Sequence, residues 1–299
     1  MCSRYIISTT IEAIEAKFGL PPQAITFQSN YNISPGQVVP VITNEKPYEI
    51  QFFRFGLTPF WAKSQMNLFN ARAEGDSNSE DNPTFRGAAG IIQKKAFRKP
   101  IRSQRCIVIA SAFIEITSEN GFTKPYLVYL RNHQNPFAIA GIWDSWLNPS
   151  TGFNENAFSI ITTTANSLLR QIGSHRMPVI LTDSEAKRWI KSGTELLRIT
   201  AMLKHYDSKL MNAYPIDPKI KTTLENDKQL IQPTGPRLLI EEKKIAIQIP
   251  RGSGYHEARK ANKAADTSTM AERLELARKN EAEIKENQPP TRSQYIKYE

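Results

Sequence analysis

The stretch Arg105-Cys106-Ile107-Val108-Ile109-Ala110-Ser111-Ala112-Phe113-Ile114-Glu115-Ile116 decides the fold class. Its first half is a run of apolar and β-branched residues typical of a buried strand, and the pattern continues to Ile116. Comparable short runs lie on both sides of it, at positions 38–42, 48–57, 125–130, 137–143 and 158–163. Strands this numerous, with few helices between them, predict a mostly antiparallel β architecture.

Helices are predicted to be few and short. Ile11, Ile14 and Phe18 recur at helical spacing, and Gly19 ends that segment. Thr182 and Glu185 have the spacing of a capping box, which predicts a helix over 184–192 followed by a second over 194–204.

Composition limits the function classes. The 299 residues carry a formal net charge of +10, which favours a polyanionic partner such as nucleic acid. The two cysteines, Cys2 and Cys106, have no metal-type spacing, so we expect neither a disulfide framework nor a metal site. No apolar stretch approaches the roughly 18 residues of a membrane span. The start also lacks the layout of a signal peptide, so we expect a reducing compartment and no membrane contact.

The chain changes character near its end. Residues 241–299 are charged and contain few large apolar residues. Such a segment cannot bury enough apolar surface to offset the entropy of ordering. The sequence therefore predicts one domain over 1–240 and a charged, largely disordered tail over 241–299.

The first five residues, Met1-Cys2-Ser3-Arg4-Tyr5, carry the most specific chemistry. Removal of Met1 would leave Cys2 with an α-amine and a thiol on adjacent carbons, and both are nucleophilic near neutral pH. A 1,2-aminothiol condenses with an aldehyde, and the thiol then closes onto the imine carbon to give a thiazolidine. The alternative is an ordinary frayed terminus.

Several motifs, in order, resemble the SRAP family, the SOS-response-associated peptidase-like proteins that shield abasic sites in single-stranded DNA. They are Met1-Cys2-Ser3-Arg4-Tyr5, Tyr31-Asn32-Ile33-Ser34-Pro35, Phe55-Gly56-Leu57 with Pro59 and Trp61, Asn70-Ala71-Arg72 with Glu74, Arg105-Cys106 with Phe113 and Glu115, and His175-Arg176-Met177-Pro178. The resemblance covers about residues 2–234. It implies an α+β fold with a predominantly antiparallel, barrel-like sheet and a few short helices.

Three positions depart from the family pattern. Ser3 stands where the family usually has Gly, Phe55 where it has Trp, and Ile116 where a Trp commonly follows the glutamate. The last two changes fall at positions that are aromatic in the family, so they bear on DNA affinity more than on the chemistry.

The resemblance implies a catalytic group of Cys2, Glu115, His175 and Asn70. Cys2 would be the nucleophile that captures the open-chain aldehyde of an abasic site. Glu115, among apolar neighbours, would transfer protons during ring opening and imine formation, and His175 would transfer a proton or bond the sugar or phosphate. Asn70 would orient the N-terminal amine. Without the family, Glu115 could equally be a solvent-facing edge residue, His175 a structural histidine and Asn70 a turn cap.

Contacts with the DNA are predicted for arginines and aromatic residues. Guanidinium groups match phosphate oxygens in pairs, and aromatic faces stack on bases. The predicted contacts are Arg4, Arg72, Arg86, Arg176, Phe55 and Trp61. Structural ion pairs remain open for the arginines, as does a core position for the aromatics. No cofactor is expected, and the expected partner is single-stranded DNA bound by a monomer.

The resemblance also implies autoproteolytic exposure of Cys2 and a lyase-like, Glu115-assisted reversal of the crosslink. It implies a role in DNA repair, with a cytoplasmic, nucleoid-associated location in a bacterium or a nuclear one in a eukaryote. The main rival is an N-terminal-nucleophile hydrolase such as a glutamine amidotransferase, in which the thiolate attacks an amide. Such chains usually continue Gly-Ile after the cysteine, whereas this one continues Ser3-Arg4. A noncatalytic single-strand-binding module is a third possibility.

Overall fold

The computed structural model describes residues 3–240, except positions 86, 88, 120, 121 and 133. The described residues form thirteen strands: β1 Arg4–Ile7, β2 Asn30–Ile33, β3 Val38–Thr43, β4 Gln51–Phe55, β5 Asn70–Arg72, β6 Arg105–Ala110, β7 Ala112–Glu119, β8 Phe122–Leu130, β9 Phe137–Leu147, β10 Asn154–Thr164, β11 Arg176–Pro178, β12 Ile180–Leu181 and β13 Met211–Pro215. Five α-helices accompany them: α1 Ile11–Phe18, α2 Pro100–Ser103, α3 Ser167–Gln171, α4 Asp183–Trp189 and α5 Leu196–Ala201. Short 3₁₀ turns lie at Gly90–Ile92, Ser208–Leu210, Pro218–Lys221 and Lys228–Ile231.

Five of the strands close into a barrel. Around the ring, β3 pairs with β4, β4 with β10, β10 with β9, β9 with β6, and β6 with β3. Only the β4–β10 pairing in this ring is parallel. The predicted α+β class with a predominantly antiparallel, barrel-like sheet is confirmed. Closure leaves no open edge in the ring, and β5 extends it by running parallel to β10.

A second, antiparallel sheet has the order β13-β8-β7-β1-β2. It is joined to the barrel at Ser111. There the stretch predicted as one continuous strand divides into β6, which belongs to the barrel, and β7, which belongs to the second sheet. The Ser111 N–H donates to the carbonyl of Ile6 (2.7 Å), and its hydroxyl accepts from the N–H of Ser8 (2.8 Å). These bonds attach the N-terminal strand at the point where the chain leaves the barrel.

The short helices form as their end signals predict. Thr10 accepts from the N–H of Ala13 at the start of α1, and Gly19 ends it at φ 67°, a conformation that favours glycine. The capping box of Thr182 and Glu185 is present at the start of α4. We find no helix in the described part of the chain that is long and apolar enough to cross a membrane.

Arg105 fixes two helices against the barrel. Its buried guanidinium donates to four backbone carbonyls, those of Trp189 (2.7 Å), Arg102 (2.6 Å), Lys191 (3.1 Å) and Ile101 (3.4 Å). Helix C-termini carry partial negative charge, so they stabilise a buried cation there. Burial lowers the pKa of Arg105. The predicted tail, 241–299, lies outside the described residues, and the domain boundary stays a prediction.

Candidate functional site

The pairing of β1 with β7 places the start of the described chain beside Glu115. In the antiparallel ladder of β1 and β7, Arg4 lies opposite Ile114. Continued by one residue, the same register puts Ser3 opposite Glu115. Cys2 lies outside the described residues, but it is bonded to Ser3. Cys2, the predicted nucleophile, is therefore bonded to the residue, Ser3, that lies opposite Glu115, the predicted acid–base.

Glu115 is turned towards the interior. Phe113 packs in the large cluster that includes the barrel core, whereas Ile114 packs in a second cluster with Ile6. Side chains alternate along a strand, so Glu115 shares the face of Phe113 and is only 1% exposed. A carboxyl group in such a water-poor place interacts strongly with a nearby amine or proton. Its position suits general acid–base chemistry.

Asn70 is a buried amide at the beginning of β5, opposite Ile160 of β10. Its Oδ1 and Nδ2 are both buried, and neither makes a hydrogen bond with any residue that the structure describes. An unpaired buried polar group costs about 1–3 kcal/mol, so folds rarely retain one without a use for it. The Asn70 amide thus has a donor and an acceptor available to a bound group.

One aromatic ring joins the beginnings of β1 and β5. The Phe55 centroid lies 5.6 Å from that of Tyr5 and 6.3 Å from that of Phe69, both in edge-on geometry. Tyr5 follows Ser3 by two residues, and Phe69 immediately precedes Asn70. The N-terminal strand and the strand carrying the amide are therefore held against the same core residue.

The two aromatic residues predicted to contact DNA have different positions. Phe55 is fully buried, so no face of its ring reaches solvent and the predicted DNA contact is corrected to a core role. Trp61 is 37% exposed and Phe60 beside it is 52% exposed. The Nζ of Lys95 lies 4.2 Å from the Trp61 ring centroid and that of Lys99 4.4 Å from the Phe60 ring centroid. These four residues form a surface of aromatic rings and amines.

Arg72 and Arg176, both predicted phosphate contacts, belong to an ion-pair cluster. Arg176 donates from Nη2 to Glu74 Oε2 (3.0 Å) and from Nη1 to Asp81 Oδ1 (3.0 Å). The other oxygen of Asp81 accepts from Arg72 Nη2 (2.9 Å). The Arg176 side chain is only 4% exposed, whereas that of Arg72 is 34% exposed. Arg176 thus fits the structural ion-pair alternative, and Arg72 retains an exposed edge.

Arg4 ties the N-terminal strand to the end of the described domain. Its guanidinium donates to the Oδ1 of Asn32 and to the carbonyl of Lys221. The Nδ2 of Asn32 in turn donates to the carbonyl of Thr223 (3.0 Å). Burial lowers the pKa of Arg4. A phosphate contact by Arg4 stays a prediction, and any such contact shares the guanidinium with these bonds.

The structure does not bring His175 to Asn70. The His175 carbonyl accepts from the N–H of Ala165, which follows β10 and lies five positions after Ile160, the residue opposite Asn70. At about 3.3 Å per residue, five residues of extended chain span about 16 Å. The His175 side chain is exposed, and Ser174 is the buried residue of this turn. This placement argues against the predicted catalytic role of His175.

Two predicted site residues, Cys2 and Arg86, lie outside the described residues, so their roles stay predictions. Cys106 is a buried free thiol whose pKa is raised by burial, as suits an unreactive core residue. Within the described part of the chain, no three His, Cys, Asp or Glu side chains form a group able to hold a metal ion.

Sequence reasoning missed two acidic residues next to the predicted DNA contacts. Asp81 lies in a polar loop that gives no signal of an ion pair with Arg176, a residue 95 positions away. Asp144 is the acid within the otherwise apolar run of β9, and that contrast was a usable signal. Its carboxylate accepts from the backbone N–H of Phe60 (2.9 Å).

Comparison with known proteins agrees with this fold. The family model described as SOS response associated peptidase (SRAP) matches residues 1–223. The chain belongs to the SRAP family. The resemblance drawn from the motifs is therefore confirmed.

Individual relatives match about three quarters of the chain. The chain is 31% identical over 241 residues to the abasic site processing protein YoqW of Bacillus subtilis, covering 78% of this chain and 99% of that protein. It is 24% identical to the abasic site processing protein HMCES of Xenopus tropicalis, covering 73% and 72%. A crystal structure of a protein from Bacteroides thetaiotaomicron superposes with a TM-score of 0.67 at 30% identity, covering 78% and 99%.

Proposed function

We propose that this protein captures abasic sites in single-stranded DNA as a covalent thiazolidine on Cys2. The observation that carries the proposal is the β1–β7 register, which leads the chain from Ser3 to the buried Glu115. The substrate class is supported by family membership and by relatives that are named abasic site processing proteins.

The first stage is imine formation. An abasic deoxyribose is mostly a closed hemiacetal, and a proton on the ring oxygen opens it to the aldehyde. The α-amine of Cys2 attacks the aldehyde carbon, and the carbinolamine loses one water to give an imine. Glu115 is the carboxyl group placed to donate the proton for ring opening and to assist the departure of water.

The second stage closes the ring. The Cys2 sulfur adds to the imine carbon, the C=N bond becomes a C–N single bond, and the thiol proton goes to the nitrogen. Condensation as a whole releases one water and leaves protein and DNA joined through carbon–sulfur and carbon–nitrogen bonds. A five-membered ring closes readily because the two nucleophiles are on adjacent carbons, so their effective concentration is high.

Asn70 supplies orientation. A neutral amide can accept from the α-amine and donate to the sugar oxygen without changing the charge of either. Its lack of a hydrogen bond to any described residue supports this role, because both atoms of the buried amide are then available to the α-amine and to the sugar.

Exposure of the nucleophile requires loss of Met1. We propose that the Met1–Cys2 bond is hydrolysed autocatalytically, the thiol acting as nucleophile and Glu115 assisting proton transfer. Reversal of the crosslink would be the same condensation run backwards, with water adding to the imine. The protein would thus act as a peptidase once and as a lyase-like enzyme at each release.

DNA binding would be mainly electrostatic. The net charge of +10 favours a polyanion, so affinity should fall as salt rises. Phe60 and Trp61 offer exposed rings, and stacking of a single-stranded base is worth roughly 1–3 kcal/mol. We propose that the protein acts as a monomer on DNA, in the nucleoid or the nucleus, during the response to DNA damage.

The test is a denaturing gel of protein incubated with a single-stranded oligonucleotide that carries one abasic site. We expect a band of protein plus DNA that survives denaturation, requires the abasic site and is absent with Cys2→Ala. A wild-type protein that gives no such band would reject the proposal. Ammonia release from glutamine would then test the hydrolase, and binding of intact oligonucleotide unchanged by Cys2→Ala would indicate a noncatalytic module.

A further inference from the structure

The exposed aromatic pair lies at the tip of a closed loop between β4 and β5. Leu57 and Leu68 exchange two backbone hydrogen bonds of 3.0 Å at its base. Just above, the Thr58 hydroxyl bonds both the carbonyl (2.7 Å) and the N–H (3.1 Å) of Met66. These bonds close the neck of the loop but do not reach Phe60 and Trp61, so the tip needs its own supports.

Two side chains of β9 provide those supports. Asp144 Oδ2 accepts from the N–H of Phe60 (2.9 Å), and the indole Nε1 of Trp146 donates to the carbonyl of Ala62 (2.7 Å). They bond the backbone on either side of Trp61. The tip is therefore bonded directly to a barrel strand that is paired on both sides, with β10 and with β6.

Asp144 is an unusual residue for this position. It is 1% exposed, although carboxylates are rarely buried unless they are bonded. Its other oxygen accepts from Ser145 N (3.0 Å) and Gln104 Nε2 (3.3 Å), and Lys99 Nζ lies 3.9 Å away. The same Lys99 amine lies over the Phe60 ring, so one carboxylate holds both the backbone of Phe60 and the cation on its ring.

We infer that Asp144 is a positioning residue that fixes the Phe60–Trp61 rings for stacking on single-stranded DNA. The inference rests on the proposed function for its partner but not on the Cys2 chemistry. Rings that are already ordered lose less entropy on binding, so their stacking yields more affinity. Trp146 acts in the same way through Ala62.

The direction of the effect separates positioning from charge. Loss of a negative charge near a DNA surface should by itself strengthen binding. If Asp144 positions the rings, its removal must weaken binding despite that gain. Asp144→Ala and Asp144→Asn make the same charge change, but Asn keeps an oxygen that can accept from the Phe60 N–H. The two variants therefore isolate the hydrogen bond.

The measurement is the fluorescence anisotropy of an intact oligothymidylate, which contains no aldehyde and cannot crosslink. We expect Asp144→Ala to weaken affinity about tenfold, the order of one stacked base. We expect Asp144→Asn to remain within about twofold of wild type. In a Phe60→Ala/Trp61→Ala background, Asp144→Ala should cause no further loss, because the rings through which it acts are gone. Hydrogen exchange at the Phe60 amide should accelerate in Asp144→Ala alone.

Controls keep the outcome decisive. Glu185→Gln alters another nearly buried carboxyl group, at the start of α4, and should leave oligothymidylate affinity unchanged. If Asp144→Ala does not fold, Trp146→Phe removes the second support while keeping an aromatic ring, and should weaken binding severalfold. Tighter or unchanged binding by the folded variants would overturn the inference, as would wild type that does not bind the oligonucleotide. Normal oligothymidylate results with no abasic-site crosslink would reject only the proposed function.

Discussion

Two residues apart on β5, Asn70 and Arg72 have opposite surroundings. Both are polar side chains that leave the same strand beside β10. The Asn70 amide is buried and makes no hydrogen bond with any described residue. Arg72 bonds the carbonyl of Asn78 (3.2 Å) and the carboxylate of Asp81 (2.9 Å), which also holds Arg176.

We propose that this difference separates a group that serves the substrate, Asn70, from groups that stabilise the fold. A buried polar group without a partner lowers stability, so its benefit must lie in function. A buried cation such as Arg176, paired with the Glu74 and Asp81 carboxylates, is needed by those partners, and its removal leaves them unpaired. Mutation of Asn70 should therefore affect the chemistry. Mutation of Arg176, in the ion-pair cluster at the other end of β5, should affect folding.

Glu115→Gln should have the largest effect. It keeps the shape of the side chain but removes its proton-transfer ability, so crosslink formation should slow by about 10²–10⁴-fold. The rate is read from the time course of the denaturing gel at saturating DNA. His175→Ala is the control, since the structure places that histidine away from Asn70, and its rate should match wild type. Equal losses in both variants would restore His175 to the catalytic group.

Arg176→Met should have the next largest effect, on stability. It leaves the Glu74 and Asp81 carboxylates without their shared cation, and breaking a buried pair in this way costs about 3–5 kcal/mol. The free energy of unfolding in urea measures it. A loss no greater than the ~0–1 kcal/mol of an exposed pair would show that the cluster is not structural.

Asn70→Ala should slow crosslinking about tenfold, because it removes a hydrogen bond to the reacting groups. The free energy of unfolding should stay equal or rise, since the amide has no described partner to lose. Both quantities come from the same preparations as Arg176→Met. Destabilisation of Asn70→Ala without slower crosslinking would reverse the assignment of the two ends of β5.

Asp81→Ala should have the smallest effect on function, a few-fold gain in affinity for single-stranded DNA, measured on folded protein because Arg176 also loses one of its two carboxylate partners. It frees Arg72 Nη2, and each added phosphate contact steepens the salt dependence. Asp76→Ala is the matched control, because it removes the same charge from the same loop but pairs with Lys94 instead. Equal gains in the two variants would mean that only net charge matters and that Arg72 does not contact phosphate.

Much of the fold was predictable because its signals are local. The strand runs, the α1 helix that Gly19 ends and the Thr182–Glu185 capping box each depend on neighbouring residues. The division at Ser111 was not, because one apolar pattern serves two strands that belong to different sheets. The parallel pairing of β10 with β4 and β5 also depends on closure of the barrel, which no short stretch of sequence encodes.

The site was predictable to a smaller extent. Motifs singled out Glu115 and Asn70 by residue type. The structure buries the Glu115 side chain and both amide atoms of Asn70, and their catalytic roles stay predictions. Motifs could not tell that Phe55 packs in the core or that Arg176 is held by Asp81, because these facts depend on contacts between distant segments. The structure buries Ser174 and Arg176 and leaves His175 between them exposed. This alternation depends on how β11 pairs with β10, so the sequence alone could not predict it.

The most direct test of the account is mass spectrometry of the crosslinked N-terminal peptide after nuclease and protease digestion. The account predicts a peptide that begins at Cys2, lacks Met1 and carries the sugar-phosphate remnant with the loss of one water. The adduct should form and persist without borohydride, because a thiazolidine has no C=N bond left to reduce. Retained Met1, or a remnant on a lysine that requires borohydride, would contradict it.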